Sequence, residues 1–360
     1  MLEQDEDLKI FVFVTTRPRI GETLVNSFHQ HDRLVEVTVP IDIPLKLYRL
    51  DFFAKIRCKV RLIEKKIPIK EIDAIHAATL YTEGATARAL QKKYGIPYFV
   101  SMRGTDCGFY SRKMFHLWPL ANSVLKHASL LAYVTPTIKQ KMIDRWQYWL
   151  MRKKLCEGAI INNGIDSVWT DNIHISPKAI GNPIRVIYIG RFDKNKNVMR
   201  LIEAIKKVRQ YNNIRLTLIG GDGEQQAEVE REVSLHSNYI EYLGKIYDKQ
   251  NLMQIVRQCD IFAMVSHGET FGLVYAECLS QGLPLIYTLG TGFDKMYPQG
   301  IIGYGVNSHS VENIKEGIEY VIGNYQNIRE NISKIQFDRY SWNKIAQNYL
   351  NIYKSISHVR

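Results

Sequence analysis

"HGETFGLVYAECLSQGLPLI", residues 267–286, sets two glutamates, Glu269 and Glu277, eight positions apart around Phe271-Gly272. Before it, residues 261–265 (IFAMV) have the apolar character of a buried strand. After it, an apolar helical stretch runs from Gly272 to the breaker Gly282-Leu283-Pro284. A strand that hands over to a helix through a glycine predicts a strand–helix–strand unit, with Glu269 on the loop and Glu277 in the second helical turn. Paired carboxylates suit acid/base work. Here they also suit binding, because a helix amino terminus offers free N–H groups and Gly272 leaves that backbone unshielded. Glu277 can accept hydrogen bonds from a vicinal diol such as ribose. Two surface carboxylates near a helix start would give the same spacing without any ligand.

The same alternation extends in both directions. Strands are expected at 9–15, 34–39, 74–77, 98–101, 130–134 and 159–161, then at 185–189, 215–219, 240–242, 261–265 and 285–287. Helical segments, among them 22–30, 85–94, 137–151, 198–210, 224–236, 249–257 and 272–280, separate most of them. Strand–helix alternation of this kind means parallel sheets covered on both faces. With 360 residues, ~100–200 residues per domain gives two domains. The expected fold is α/β, two doubly wound Rossmann-like domains facing across a cleft. The first spans 1–166, a linker 167–183 ends at Gly181-Asn182-Pro183, the second spans 184–340, and 341–360 forms a terminal helix that crosses back to the first domain. Ligands of such sheets bind at the carboxyl ends of strands.

Two more loops at strand ends could carry chemistry. Residues 189–197, IGRFDKNKN, bring Arg191 and Lys196 to a strand end, a fork and a point charge suited to a diphosphate. A solvated basic loop with a helix-capping Asn reads equally well. Residues 219–224, IGGDGE, form a glycine turn without G-x-G-x-x-G spacing, so a tight structural turn competes with a phosphate cradle.

Composition narrows the classes. Hydrophobic content of 46% and charged content of 23% fit a globular protein with real cores. The formal charge of +12 is uneven: residues 1–180 hold 27 Lys/Arg against 18 Asp/Glu, a net of +9. A basic half favours phosphates, anionic lipid or nucleic acid, and the sequence carries no nucleic-acid signature. Cys58, Cys107, Cys156, Cys259 and Cys278 are scattered and lack C-x-x-C, which reads as reduced thiols and no zinc site. An acidic start running into a strand is not the order of a secretory signal, and no window approaches ~18 apolar residues. The expectation is a cytoplasmic protein. Residues 46–66, KLYRLDFFAKIRCKVRLIEKK, have the makings of a basic amphipathic helix on anionic lipid, or of a helix with one face packed and a solvated basic face. His76, at a strand end, is expected to pack in the core.

Taken together, these stretches resemble the retaining glycosyltransferases of family four, whose fold is GT-B. Ser266, Glu269, Phe271, Gly272, Glu277, Gly282 and Pro284 stand in register with the family's glutamate motif. Gly190, Arg191, Lys196 and Asn197 match its G-R-x-x-x-x-K-N, Gly221-Asp222-Gly223-Glu224 its glycine turn, and Asn163-Gly164-Ile165-Asp166 its N-G-I-D. The resemblance implies transfer of a hexose from a UDP- or GDP-sugar to a hydroxyl acceptor, in cell-surface polysaccharide or glycolipid assembly. It assigns Arg191 and Lys196, beside Gly190, to the diphosphate and Glu277 to the ribose. Glu269 and the Thr270, Phe271, Gly272 and Leu273 backbone would hold the sugar. It implies no metal and no cofactor beyond the sugar nucleotide. The amino-terminal half departs from the pattern. Gly21 alone stands for the family's paired glycine, and Arg103-Gly104-Thr105-Asp106 replaces His-Gly, so Arg103 and Asp106 are candidates for facing the reaction centre, with Asp106 equally a cap. The expected partners are the donor, a carbohydrate or lipid-linked acceptor and the inner face of an anionic membrane. A sugar-nucleotide epimerase on this fold and a non-catalytic sugar-nucleotide-binding protein are the alternatives.

Overall fold

The computed structural model describes residues 1–16, 32–40 and 51–357. Gly21, the expected helix at 22–30 and residues 46–50 of the basic segment lie outside them. The chain divides into two compact units, one of Met1–Tyr133, Met142–Ala159 and Ala346–Arg360, the other of Val134–Lys141 and Ile160–Ile345.

In the first unit, β1 (Ile10–Thr16) and β2 (Leu34–Pro40) pair in parallel. A four-stranded sheet follows in sequence order: β3 (Ile75–Ala77), β4 (Tyr98–Met102), β5 (Leu130–Tyr133) and β6 (Ala159–Ile160). Every residue of β4 is buried, as a strand covered on both faces requires. Helices Thr82–Tyr94 and Trp118–His127 pack against each other over this sheet. The terminal helix Trp342–Ser357 brings Tyr353 to the same sheet, 3.0 Å from Nδ1 of His76. His76 also bonds Ser101 through Nε2 at 2.7 Å and stacks on Phe99. Burial pulls its pKa down to about 4. It is a packed core histidine, as expected.

Helix Phe52–Lys66 is capped by Asp51, whose carboxylate accepts from Ala54 N at 2.8 Å. Phe52, Ile56 and Lys59 are its buried residues, and they recur at helical spacing. That face packs on helix Thr82–Tyr94, where Lys59 pairs with Glu83 at 3.0 Å. The packed reading therefore describes this helix, and Lys59 belongs to its inner face.

The second unit is a six-stranded sheet in the order β12-β11-β10-β7-β8-β9, and its strands pair in parallel. The strands are β7 (Ile184–Arg191), β8 (Ile214–Gly221), β9 (Ile240–Tyr242), β10 (Ile261–Ala263), β11 (Leu285–Thr288) and β12 (Gly303–Val306). The order runs outward from β7 to β9 on one side and from β10 to β12 on the other. The switch point therefore lies between β7 and β10, where a doubly wound sheet opens its crevice. The sequence reading omits β12, because two of its four residues are glycines. Gly303 has φ +145°, and a Cβ there would overlap the Leu285 backbone of β11, so the close approach itself demands glycine.

Residues 167–183, expected as a linker, lie along the second unit. Asp166 caps helix Ser167–Thr170 and Trp169 is buried. His174 N donates to Ser280 O at 3.0 Å, Arg329 reaches the carbonyls of Ser176 and Gly282, and Lys178 pairs with Asp260 at 2.9 Å.

Candidate functional site

The loops after β7 and β10 face each other across the switch point. The first leaves β7 at Gly190-Arg191 and reaches helix Val198–Val208 through Asn197, in the left-handed region at φ +59°. Asn197 is buried and donates to the carbonyls of Val265 (3.0 Å) and Ser308 (2.8 Å). His267 N donates to Asn195 O at 2.7 Å, and Asn195 Nδ2 to Gly268 O at 3.0 Å. Four hydrogen bonds thus fix one loop to the other and its surroundings before any ligand arrives, which is the preorganisation an electrostatic site needs.

Within this frame Lys196 Nζ forms an ion pair with Glu269 Oε1. The two side chains are 23% and 12% exposed, so the pair is largely withdrawn from water. Glu269 is held from behind: its N–H donates to Thr291 Oγ1 at 2.6 Å, and the same hydroxyl donates back to Glu269 O at 2.9 Å. Arg191, by contrast, is 67% exposed, with Nε 3.2 Å from Asp222 O and 3.4 Å from Asp193 Oδ2. The glycine turn after β8 braces this loop, since Glu224 Oε1 accepts from Lys194 N at 3.1 Å and Phe192 N donates to Gly221 O at 3.3 Å. That supports the structural reading of the turn.

Helix Leu273–Ser280 starts at Gly272, which has φ +78°. A Cβ at Gly272 would come 2.6 Å from the Tyr275 ring, and Tyr275 hydroxyl donates to Met264 O. A larger residue would move the ring that ties the helix to the end of β10. Phe271 is buried, Thr270 is half-buried and Leu273 is exposed, so the backbone around Gly272 is the accessible part. Glu277, one turn on, has no hydrogen bond or ion pair from its carboxylate among the described residues. Burial pushes its pKa up to about 7; Lys249 opposes the rise and Asp166 adds to it. Lys249 and Asp166 pair with each other. A half-buried, unpartnered carboxylate is costly unless something else comes to it.

The second unit therefore gathers Gly190, Arg191, Lys196, Glu269, Thr270, Phe271, Gly272, Leu273 and Glu277 at the carboxyl ends of β7 and β10. Sequence reading missed Thr291 and Lys249. Neither has a motif of its own: Thr291 lies on the loop after β11, and Lys249 is the first residue of helix Lys249–Gln258.

In the first unit the outcome differs. Asp106 is 1% exposed; its Oδ1 accepts from Leu80 N at 3.0 Å and its Oδ2 from Arg103 N at 2.9 Å. Burial lifts its pKa to about 7. Both oxygens accept from backbone N–H groups that precede it, while Thr105 stands at the N-cap of the segment that follows, so Asp106 is a buried backbone acceptor and not the cap of that segment. Arg103 is exposed. Asp106→Ala should strip the buried Leu80 N–H and the half-buried Arg103 N–H of their acceptor and cost about 1–3 kcal/mol of stability. Thermal unfolding checks this, with nucleotide affinity unchanged.

Three comparisons place the chain. Residues 170–338 match the family model for glycosyl transferases group 1. An uncharacterized glycosyltransferase of Methanocaldococcus jannaschii is 22% identical, over 93% of this chain and 92% of its own. The alpha-monoglucosyldiacylglycerol synthase of Acholeplasma laidlawii is 25% identical over 74% of this chain and 69% of its own. Among solved structures, Anabaena HepE in complex with UDP has a TM-score of 0.68 at 16% identity, covering 97% of this chain and 100% of that one. That likeness shows the fold, which is GT-B. Residues 170–338 thus match the glycosyl transferases group 1, and the chain is a glycosyltransferase.

Proposed function

We propose that the protein transfers a hexose, with retention of configuration, from a UDP- or GDP-sugar to a hydroxyl acceptor in cell-surface polysaccharide or glycolipid assembly. The observation that carries this reading is the Lys196–Glu269 pair at the switch point, flanked by the exposed Arg191 and the unpartnered Glu277. Arg191 and Lys196 take the diphosphate, with Gly190 leaving room beside them, and Glu277 takes the ribose. Glu269 and the backbone at Thr270, Phe271, Gly272 and Leu273 hold the sugar. HepE was solved with UDP, which supports a uridine donor over a guanosine one. The lipid-directed relative from Acholeplasma laidlawii supports a glycolipid acceptor.

The reading needs no enzymic nucleophile. The bond from C1 to the leaving phosphate oxygen breaks, the acceptor oxygen bonds to C1 from the same face, and the leaving phosphate oxygen takes the acceptor proton. Cationic side chains and the amide groups of the Gly272 turn stabilise the departing charge in place of a metal.

The test pairs a thermal-shift screen of nucleoside diphosphates and their sugars with proton NMR of the product. A true donor stabilises the fold by RT ln(1 + [L]/Kd), so it stands out from the rest. An axial donor linkage should give an axial product, and EDTA-treated, dialysed protein should keep its activity. An inverted product, or activity restored only by a divalent cation, overturns this route. Isomerised donor without transfer would favour the epimerase.

A further inference from the structure

The first unit presents apolar side chains where a globular surface ordinarily hides them. Trp146, Phe115, Trp149 and Leu150 are 71%, 69%, 68% and 67% exposed. Single exposed hydrophobics need no explanation, but these come from two neighbouring segments. The turn Trp146–Met151 lies against helix Trp118–His127, and Phe115 stands just before that helix. Trp146 meets Trp118 edge-on at 5.0 Å.

The turn is held rigidly. Asn122 Nδ2 donates to Gln147 O at 2.9 Å, and Gln147 Nε2 to Ser111 O at 2.9 Å. Tyr148 points inward, fully buried, with its hydroxyl against that of Tyr81. With Gln147 and Tyr148 anchored inside, Trp146, Trp149 and Leu150 are fixed outside.

The charges on this patch are cationic, with Asp144 and Glu157 just outside it. Arg112, Lys113, Arg152 and Lys153 are exposed, and none forms an ion pair among the described residues. Neither 110–120 nor 145–155 contains an acidic residue. Carbohydrate platforms pair aromatic faces with carboxylate and amide acceptors for sugar hydroxyls; Leu150 and four cations supply none. Tryptophans interleaved with unpaired cations match the boundary of an anionic bilayer, where indole rings sit at headgroup level and lysines meet lipid phosphates.

We propose that Phe115, Trp146, Trp149 and Leu150, with Arg112, Lys113, Arg152 and Lys153, dock this protein on the surface of an anionic lipid membrane. The proposal replaces helix Phe52–Lys66 as the membrane contact, since that helix turns its apolar face inward. It does not depend on which sugar or nucleotide the second unit binds.

The experiment is co-sedimentation of the full chain with vesicles of phosphatidylcholine, or of phosphatidylcholine with about one-third phosphatidylglycerol. Binding is expected to the anionic vesicles alone and to fall as salt rises, because screening weakens surface attraction. Trp149→Ser with Leu150→Ser should weaken partitioning by more than about tenfold. Arg112→Gln, Lys113→Gln, Arg152→Gln and Lys153→Gln should each cost about fivefold. All six residues are exposed, so unchanged thermal unfolding should accompany the loss. Lys55→Gln, Lys65→Gln and Lys66→Gln together provide the comparison and should leave most of the binding. Absence of wild-type binding, binding that survives the patch variants, or binding abolished by the helix variant instead overturns the proposal. So does capture of these tryptophans by soluble polysaccharide without vesicle binding.

Discussion

Lys196→Ala is expected to lower turnover by about a hundredfold to a thousandfold, with a smaller change in donor KM. The magnitude is that of removing one preorganised donor from developing negative charge in a water-poor site. Lys196 has the placement for it: its ammonium lies beside Glu269, half-shielded, on a loop fixed by Asn195 and Asn197. Arginine should not rescue it, because a planar fork cannot occupy the space of a point charge. A drop in activity could also follow from leaving the Glu269 carboxylate without its partner, which destabilises a withdrawn pair. The double variant Lys196→Met with Glu269→Gln removes both charges, so its stability should recover; because Glu269 also holds the sugar, only stability is read from it, and turnover is read from Lys196→Ala. Thermal unfolding and steady-state kinetics on the same preparations decide it. Turnover within about threefold of wild type in Lys196→Ala would remove the lysine from the transition state.

The second unit was legible because its strands are short, apolar and buried on both faces. Residues 261–263 and 285–288 announce themselves that way, and the loops after them follow by position. β12 was not legible, since Gly303 and Gly305 answer to strand contact and leave no strand pattern in the sequence. Lys59 could have been read: it falls seven positions after Phe52 and three after Ile56, on the same helical stripe. Its charge suits the solvated face, but its spacing places it on the packed one. Asp106 was harder, because its partners are the backbone N–H groups of Leu80 and Arg103, and no side-chain pattern encodes a backbone acceptor. The charges around Glu277 are remote for another reason. Asp166 and Lys249 lie 111 and 28 positions away in sequence, and only the wound sheet brings them near.

That neighbourhood makes Glu277 the residue with a dual signature. Its pKa is raised by burial to about 7 from an ordinary 4.5, with Lys249 pulling it down and Asp166 pushing it up. An acid whose folded pKa is raised holds its proton more tightly in the native state. Stability therefore falls as pH climbs from about 4.5 through about 7, and the loss is complete above that. Glu277→Gln should stabilise the protein at pH 8 and by progressively less toward pH 5, a trend read from melting temperatures. Donor binding should run the opposite way. The ionised carboxylate is the better acceptor for ribose hydroxyls, so the affinity of the wild type for UDP, or for GDP if that is the nucleotide bound, should rise as pH passes about 7. Glu277→Gln should lack that rise, and the nucleotide's own phosphate titration cancels in the ratio of the two proteins. At pH 8 the variant should bind about tenfold to a hundredfold more weakly, the worth of a hydrogen bond to a charged group at ~1.5–3 kcal/mol. Calorimetry at pH 6 and pH 8 tests both limbs. A variant that is more stable at pH 8 yet binds nucleotide as tightly as wild type would make Glu277 a buried acid with no part in the donor site.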